Sequence, residues 1–291
     1  MNLLKSYKFF DPTGFSDRIH IIGCGSVGST IAELLARYGF TQFVLYDFDT
    51  VSSHNIVNQM FFNEQIETPK VDAVEEVLKA INPDVRVLKM RKGWTGQNLS
   101  GYVFLCLDNI ELRKEICEAN LYNENITGVF DVRTGLTNAQ AYFSTWDTEE
   151  AKSWLISTMN FSKEEANQST PLSGCNVAQS VAATLRLICS LQVANFVNYL
   201  RKEGSVFQLA TIDTDSFSLN TIPLQKKLKQ DPYDEDEWRF LSNSDVFDIP
   251  LNPTYTGIDG WVGLRNDLDG LPLEVEAEAV PDETEPGWHT F

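Results

Sequence analysis

The sequence contains no uninterrupted apolar run of the ~18–20 residues that a membrane-spanning helix requires. It is also poor in positive charge, with 23 Lys and Arg against 41 Asp and Glu and a net charge of −18. Bulk electrostatics therefore argues against nucleic acid or an anionic membrane as a partner. A local basic pocket for a nucleotide is compatible with the same composition.

Histidines and paired cysteines are scarce as well. The three histidines lie far apart and the five cysteines include no Cys-x-x-Cys pair, so a structural zinc site is not expected. An odd number of scattered cysteines indicates a reducing, cytoplasmic setting rather than a disulfide framework. The cysteines are Cys24, Cys106, Cys117, Cys175 and Cys189.

The chain does contain enough apolar material for a packed core, since 43% of its 291 residues are hydrophobic. Acid and proline are unevenly distributed. Residues 231–291 hold 16 of the 41 Asp and Glu, and seven of the eleven prolines lie at or after Pro223. We therefore predict a main domain over residues 1–230 and an acidic, aromatic-containing C-terminal extension over residues 231–291.

Strand and helix patterns alternate along the first 150 residues. Five strands are predicted for RIHIIGCG, TQFVLYDFD, VRVLKM, GYVFLCLDN and TGVFDVRTG, and helices for STIAELLARYGF, VDAVEEVLKAINP and ELRKEICEANLYNEN. A long apolar helix, NVAQSVAATLRLICSLQVANFVNYL, and two strands with a turn near Thr214 follow. This order predicts an α/β fold, a doubly wound, mostly parallel Rossmann-like sheet with helices on both faces.

A glycine-rich turn joins the first predicted strand to the first helix. Gly23, Gly25 and Gly28 fit G-x-G-x-x-G, with Ser26 inside the motif. Such a turn lets backbone N–H groups approach phosphate oxygens at a helix N-terminus. Asp47 ends the next strand, where a carboxylate accepts hydrogen bonds from ribose hydroxyls. To this point a nicotinamide-dependent dehydrogenase and an ATP-using enzyme fit equally well.

The segments that follow distinguish these classes. DFDTVSSHNIVNQ, TPKVDAVEEVLKAINPDVRV and VFLCLDNIELR resemble motifs of the ThiF/MoeB/HesA family of adenylating enzymes, to which the ubiquitin-activating enzymes also belong. That family has Asp-x-Asp-x-Val, Ser-Asn-Leu-x-Arg-Gln, a Lys opening a helix that ends Ile-Asn-Pro, and Asp-Asn closing a strand. It also commonly has a cysteine at the position of Cys175, seventeen residues before Gln192. The resemblance covers about residues 15–222.

The resemblance implies a reaction and a set of roles. A substrate carboxylate would attack the α-phosphorus of ATP, giving an acyl-adenylate and pyrophosphate. Lys70 would contact the phosphates, Asp108 would bind Mg²⁺ and Asp47 would hold the ribose. The alternative for Lys70 is a solvent-facing lysine. Because a lysine in the first turn of a helix opposes the helix dipole, some other interaction should offset it. The alternative for Asp108 is an N-cap of the next helix.

Three further residues take roles from the same motifs. Asn55 would hydrogen-bond a phosphate or the attacked group, and its alternative is a turn residue. Gln59 would make a similar but weaker contact. Asp49 would either order its loop or assist the metal.

One position departs from the family pattern. Where the family has an arginine after Asn-Leu-x, this chain has Asn58, which removes a guanidinium expected to hold the triphosphate. Arg133 is our preferred replacement, and its alternative is a structural salt bridge to an acid such as Asp131. The N-terminal basic residues, of this or a second subunit, are further candidates. Arg113 is interpreted as structural.

Cys175 is the second point of chemistry. It lies in a loop-like segment just before the long helix, and a thiol at a helix N-terminus can have a lowered pKa and greater nucleophilicity. It would capture the adenylate as a thioester or form a disulfide with a sulfur-carrier product. The alternative is a small loop residue, because adenylation itself needs no cysteine.

We therefore expect an ATP- and Mg²⁺-dependent adenylyltransferase, acting as a homodimer. Its substrate would be the C-terminal carboxylate of a small ubiquitin-like or sulfur-carrier-like protein, or of a peptide. One alternative is a nucleotide-binding, non-catalytic scaffold of the same fold, suggested by Asn58. Another is a dinucleotide-dependent oxidoreductase, which would give no reason for the motifs around Lys70 and Asp108.

Overall fold

The computed structural model describes residues 1–162, 165 and 179–224. The strands of this part are β1 (Ile19–Ile22), β2 (Gln42–Tyr46), β3 (Arg86–Met90), β4 (Gly101–Leu105), β5 (Ile126–Thr134), β6 (Asn138–Thr145), β7 (Phe207–Asp213) and β8 (Ser218–Pro223). The α-helices are α1 (Ser26–Arg37), α2 (Lys70–Ile81), α3 (Ile110–Ala119), α4 (Glu149–Ser157) and α5 (Ala182–Arg201). The eight strands form one sheet in the order β3-β2-β1-β4-β5-β6-β7-β8.

The sheet has a parallel and an antiparallel half. Strands β3, β2, β1, β4 and β5 pair in parallel, and α1, α2 and α3 lie in the crossovers that parallel neighbours require. Strands β5 to β8 pair antiparallel. Short turns join β5 to β6 and β7 to β8, as antiparallel neighbours permit, whereas α4 and α5 lie between β6 and β7. The strand order reverses at β1, because β2 and β4 flank it. Open α/β sheets bind ligands at such a switch point, outside the carboxyl ends of the strands.

The register of the parallel half places several strand ends in one row. Ile22 of β1 lies opposite both Tyr46 of β2 and Leu105 of β4. Leu105 in turn lies opposite Asp131 of β5. The loops that follow β1, β2 and β4 therefore begin side by side at the carboxyl edge of the sheet.

Two hydrophobic cores lie on opposite faces of the sheet. Ile21 belongs to the core that α1, α2 and α5 cover, and its neighbour Ile22 belongs to the core that α3 and α4 cover. Successive strand residues point to opposite faces, so each strand contributes to both cores. Phe104 and Phe196 of the first core pack edge to face at 5.5 Å between ring centroids.

The predicted fold class is confirmed: a mostly parallel α/β sheet with helices on both faces. The prediction omitted β6 and α4. The sequence of β6, NAQAYFST, mixes small and aromatic residues without a clean alternation of polar and apolar side chains. No helix in the described ranges is both long enough and apolar enough to cross a membrane. Cys175 and residues 231–291 lie outside the described residues, so the domain boundary near residue 230 stays a prediction.

Candidate functional site

The glycine loop between β1 and α1 needs two of its three motif glycines for steric reasons. Gly23 has a φ of +95°, and a Cβ there would lie 2.7 Å from the carbonyl oxygen of Cys106. A Cβ on Gly28 would lie 1.8 Å from the carbonyl oxygen of Gly23. Around Gly25, by contrast, a Cβ would meet nothing within 4 Å. The loop is therefore packed tightly against backbone at Gly23 and Gly28, and it is open at Gly25.

The N-terminus of α1 is uncapped by side chains. Its N-cap residue is Gly25, which has no side chain to accept a hydrogen bond from the first turn, and no acidic residue lies in that turn. The first N–H groups of a helix have no partners within the helix and carry partial positive charge. They lie at the carboxyl edge of the sheet, where a phosphate group would find both donors and space.

Asp47 connects the end of β2 to the glycine loop. One carboxylate oxygen accepts the backbone N–H of Cys24 at 2.6 Å, and the other accepts the N–H of Asp49 at 2.8 Å. Burial raises the pKa of Asp47 above its ordinary value, against the opposing effects of these N–H groups and of Lys70. The carboxylate is held rigidly at the edge of the open space above the loop.

Lys70 begins α2 and forms an ion pair with Asp49 at 2.8 Å. The lysine side chain is only 10% exposed, whereas that of Asp49 is 50% exposed. The backbone supports the pair, because the N–H of Lys70 donates to the carbonyl of Asp49 at 2.9 Å. Asp49 thus supplies the negative charge that a lysine in the first turn of a helix requires.

Asp108 lies in the loop after β4 and is exposed. Its alternative interpretation, the N-cap of α3, is wrong. The N-cap is Asn109, whose side chain accepts the N–H of Leu112 at 3.0 Å. Within the described residues Asp108 has no hydrogen bond or ion pair. Its carboxylate is therefore available at the edge of the sheet that also carries the glycine loop.

Asn55 and Gln59 belong to the segment that crosses the N-terminal part of α1. The N–H of Met60 donates to the Ser29 hydroxyl of α1 at 3.2 Å. The Asn55 amide oxygen accepts the N–H of Ser52 at 2.9 Å, so Asn55 has the local turn role of its alternative interpretation. The buried amide oxygen of Gln59 has no hydrogen-bond partner among the described residues.

The guanidinium of Arg133 forms hydrogen bonds and a stacking contact with neighbouring residues. It donates to Asp131 at 2.8 Å and to the carbonyl and hydroxyl of Thr158 at 2.7 and 2.8 Å, and it stacks over Tyr142 at 4.2 Å. These contacts match the structural salt bridge that was the alternative. Its role as a replacement for the arginine absent at Asn58 stays a prediction, and it would require an exchange of partners.

The N-terminal basic residues lie away from the glycine loop of their own chain. Arg18 directly precedes β1 and therefore lies at the amino edge of the sheet, opposite the loop. Lys5 and Lys8 belong to a segment that packs near Gly39, beyond the far end of α1. Among these basic candidates of a single chain, Lys70 is the one that contacts the loop after β2, through Asp49.

Sequence reasoning interpreted Arg113 as structural and offered a salt bridge between Arg133 and Asp131, but it missed that both arginines share Asp131 in one cluster next to Asp108. Arg113 of α3 donates to Asp131 and to the carbonyls of Leu105, Leu107 and Val132. Asp131 is fully buried and shared with Arg133. An acid inside the apolar run of β5 was the available signal, because a buried carboxylate needs cationic partners.

The four cysteines in the described ranges are all buried. Burial raises the pKa of Cys106 and Cys117 to about 12, and it raises the pKa of Cys24 and Cys189 well above the ordinary value. They are not nucleophiles in the folded protein. Cys175 lies outside the described residues.

The arrangement fits ATP with Mg²⁺. The space at Gly25 can accept a phosphate, and the helix N-terminus supplies donors. Mg²⁺ bound to nucleotide phosphates usually takes only one or two protein carboxylates, and Asp108 offers one. A cluster of three or more metal-binding side chains is absent from the described residues.

Comparisons with other sequences identify relatives of the chain. The model of the ThiF family matches residues 14–233. Ubiquitin-like modifier-activating enzyme 5 of Culex quinquefasciatus is 26% identical over 310 aligned residues, which cover 97% of this chain and 74% of that protein. The enzyme of the same name from Oryza sativa subsp. japonica is 36% identical over 122 residues, 35% of this chain and 28% of that protein.

Solved structures share the fold. PaaA matches with a TM-score of 0.56 at 15% identity, over 72% of this chain and 64% of PaaA. E. coli MccB with ATP matches with a TM-score of 0.53 at 13% identity, over 72% of this chain and 65% of MccB. At these identities the likeness is one of fold alone. Each match spans less than two thirds of the length of the solved protein, PaaA or MccB.

Proposed function

The chain belongs to the ThiF family, and on that basis we propose that it is an ATP-dependent adenylyltransferase. In this proposal it activates the C-terminal carboxylate of a small ubiquitin-like protein or peptide as an acyl-adenylate. Relatives are named ubiquitin-like modifier-activating enzymes, and MccB has been solved with both ATP and its peptide MccA. The substrate of this chain is inferred from them.

The register of the parallel sheet is the observation that carries the proposal. It aligns Ile22, Tyr46 and Leu105 in one row, so the glycine loop, Asp47 and the Asp108 loop leave the sheet at one edge. Asp47, Asp108 and the open side of the glycine loop at Gly25 thereby belong to loops at one edge of the sheet, and Lys70 is joined to Asp47 through Asp49. A dinucleotide oxidoreductase would need the glycine loop and Asp47 but neither Lys70 nor Asp108.

The proposed mechanism relies on positioning and charge, because phosphoryl and adenylyl transfer need little covalent work by the protein. The glycine loop and the first N–H groups of α1 would hold phosphate oxygens, and Asp47 would accept hydrogen bonds from the ribose. Lys70 would balance the negative charge that develops on the departing pyrophosphate. The substrate carboxylate would attack the α-phosphorus, and pyrophosphate would leave from the opposite side.

Asp108 is the residue that would hold Mg²⁺. When bound, Mg²⁺ would supply positive charge that offsets the negative charge of the phosphates in the transition state. We place the reaction in the cytoplasm and in a homodimer. A second step, transfer of the acyl group to Cys175 as a thioester with release of AMP, is part of the proposal.

The decisive experiment is ATP–pyrophosphate exchange with a candidate protein or peptide carboxylate, together with calorimetric ATP binding. Lys70→Met should weaken ATP binding or turnover by about 1.5–3 kcal/mol, the usual contribution of a charge-assisted contact. Lys79→Met is the matched control, because Lys79 lies in the last turn of the same helix and its side chain is 53% exposed. Binding of NAD without binding of ATP would reject the proposal.

A non-catalytic scaffold is the second candidate function, and Asn58 is the observation that favours it. Without the family arginine the triphosphate has fewer cationic partners, so ATP could bind without reacting. A protein that binds ATP but exchanges pyrophosphate with no carboxylate partner would support the scaffold. Exchange that depends on Lys70 would support the enzyme.

A further inference from the structure

The guanidinium of Arg113 is buried and bridges two neighbouring strand ends. It donates to the carbonyl of Leu105 at 3.2 Å and to that of Val132 at 2.9 Å. It also donates to the carbonyl of Leu107 and forms an ion pair with Asp131. One side chain thus satisfies three backbone carbonyls and one carboxylate.

These contacts hold the backbone on both sides of Asp108. Leu105 is the last residue of β4, and Leu107 directly precedes Asp108. On the other side, the carbonyl of Asn109 accepts the N–H of Arg113 at 3.2 Å, and its side chain caps α3. Asp108 itself is exposed and has no hydrogen bond or ion pair within the described ranges. The loop therefore fixes the backbone position of Asp108, and its carboxylate feels the charge of Arg113 without forming a hydrogen bond or ion pair.

For a purely structural role, a buried arginine at position 113 is energetically unfavourable. Buried ion pairs gain little over apolar side chains of similar volume, because desolvation of the charges opposes their attraction. Here the buried Arg113 and the partly buried Arg133 share the single acid Asp131. What only arginine provides is a planar set of donors that can reach several carbonyls at once.

We infer that Arg113 is a positioning residue for Asp108: it fixes the loop after β4 so that the Asp108 carboxylate meets the Mg²⁺ of bound Mg·ATP. The inference rests on the proposed function, in which Asp108 is the Mg²⁺ ligand. Arg113 touches neither metal nor nucleotide, and it acts through the backbone of Leu105 and Leu107.

The test measures how much Mg²⁺ strengthens nucleotide binding. Calorimetry with the non-hydrolysable analogue α,β-methylene ATP, in Mg²⁺ and in EDTA, gives this gain in affinity without any turnover. Asp108→Asn should abolish most of the gain. Arg113→Met should reduce it by about 10-fold or more, as loss of a residue that orients a metal ligand commonly does, while affinity in EDTA stays near the wild-type value.

Arg113→Met is expected to fold, because Asp131 keeps its ion pair with Arg133 and no unpaired charge is buried. Arg113→Lys, which keeps the charge but loses the planar donors, is the second variant and should show the same loss. Lys152→Met is the matched control: Lys152 is also buried and donates to a backbone carbonyl, that of Leu121, away from the Asp108 loop. It should keep the full gain.

A double-mutant cycle distinguishes positioning from general damage. Added to Asp108→Asn, Arg113→Met should cause no further loss of the Mg²⁺-dependent gain. A folded Arg113→Met variant that keeps the full gain, or loses affinity equally in Mg²⁺ and EDTA, overturns the inference and leaves the adenylation proposal intact. Wild-type protein that does not bind the analogue at all contradicts the proposed function itself.

Discussion

The carboxylate of Asp47 accepts the backbone N–H of Cys24 at 2.6 Å, which joins the end of β2 to the glycine loop after β1. Its second oxygen accepts the N–H of Asp49, whose own carboxylate pairs with Lys70. A continuous chain of contacts therefore runs from the loop through two acids to a buried lysine.

The glycine loop gives the sharpest steric prediction. Gly28→Ala should displace the loop, because its Cβ would lie 1.8 Å from the Gly23 carbonyl oxygen, and both thermal stability and ATP binding should fall. Gly25→Ala meets open space and should cost no more than about 1 kcal/mol of stability, the usual range for an N-cap change. It should nevertheless weaken ATP binding, since the methyl group fills the space expected for a phosphate.

Melting temperature and calorimetric affinity, measured on both glycine variants, separate folding from binding. A Gly25→Ala protein with wild-type ATP affinity would show that no phosphate approaches this part of the loop. A Gly28→Ala protein with wild-type stability would contradict the packing of the loop.

Restoring the family arginine should strengthen the site. Asn58→Arg adds a guanidinium beside the segment that crosses α1, and a charge-assisted contact to phosphate should raise ATP affinity by about 10-fold, or roughly 1.5 kcal/mol. Asn63→Arg is the control, because it adds the same charge at an exposed position further along the segment. Equal effects of the two variants would indicate a general charge effect rather than a specific contact.

Alkylation should distinguish Cys175 from the other cysteines. The four described cysteines are buried with raised pKa values, so iodoacetamide at neutral pH should label the native protein at Cys175. Labelling faster than that of a free thiol, whose pKa is near ~8.5, would support a reactive thiolate. Labelling no faster than a free thiol would count against the nucleophile role.

The role of Cys175 in catalysis needs a separate measurement. Cys175→Ala should retain ATP–pyrophosphate exchange, because adenylate formation precedes any thioester. A thiol-sensitive covalent adduct with the carboxylate partner should disappear. If the adduct persists or never forms in the wild type, the protein performs only the first step.

His20 should make stability depend on pH in the acidic range. It is buried beside Tyr46, whose hydroxyl lies 2.9 Å from its Nδ1, and burial, assisted by the charge of Arg18, lowers its pKa from 6.5 to about 4. Between these values the unfolded chain binds more protons than the folded one, so stability rises with pH and reaches its plateau above pH 6.5.

The contribution of His20 over that range should be on the order of 3 kcal/mol. Chemical denaturation between pH 4 and 7 measures it, and His20→Gln should flatten the profile. The control is His54→Gln, which removes an exposed histidine. A His20→Gln profile as steep as that of the wild type would assign the acid sensitivity to the carboxylates instead.

The sequence by itself determined the parallel half of the fold and the candidates for the site. Short apolar strands alternate with amphipathic helices, and this periodicity reflects local burial. The G-x-G-x-x-G spacing identified Gly23 and Gly28, and the structure leaves no room for a Cβ at either position. Strand β6 was missed because its residues show no strict alternation of polar and apolar side chains.

Only the tertiary structure decided which side chains meet. Asp108 and Asn109 are both suitable N-cap residues, and Asn109 was selected by the geometry of the loop after β4. Arg113 and Asp131 are eighteen residues apart in the chain, and Lys70 and Asp49 are separated by twenty-one. Periodicity reports which face of an element is buried, but which donor reaches which acceptor depends on strand register and crossover length, which exist only in the folded chain.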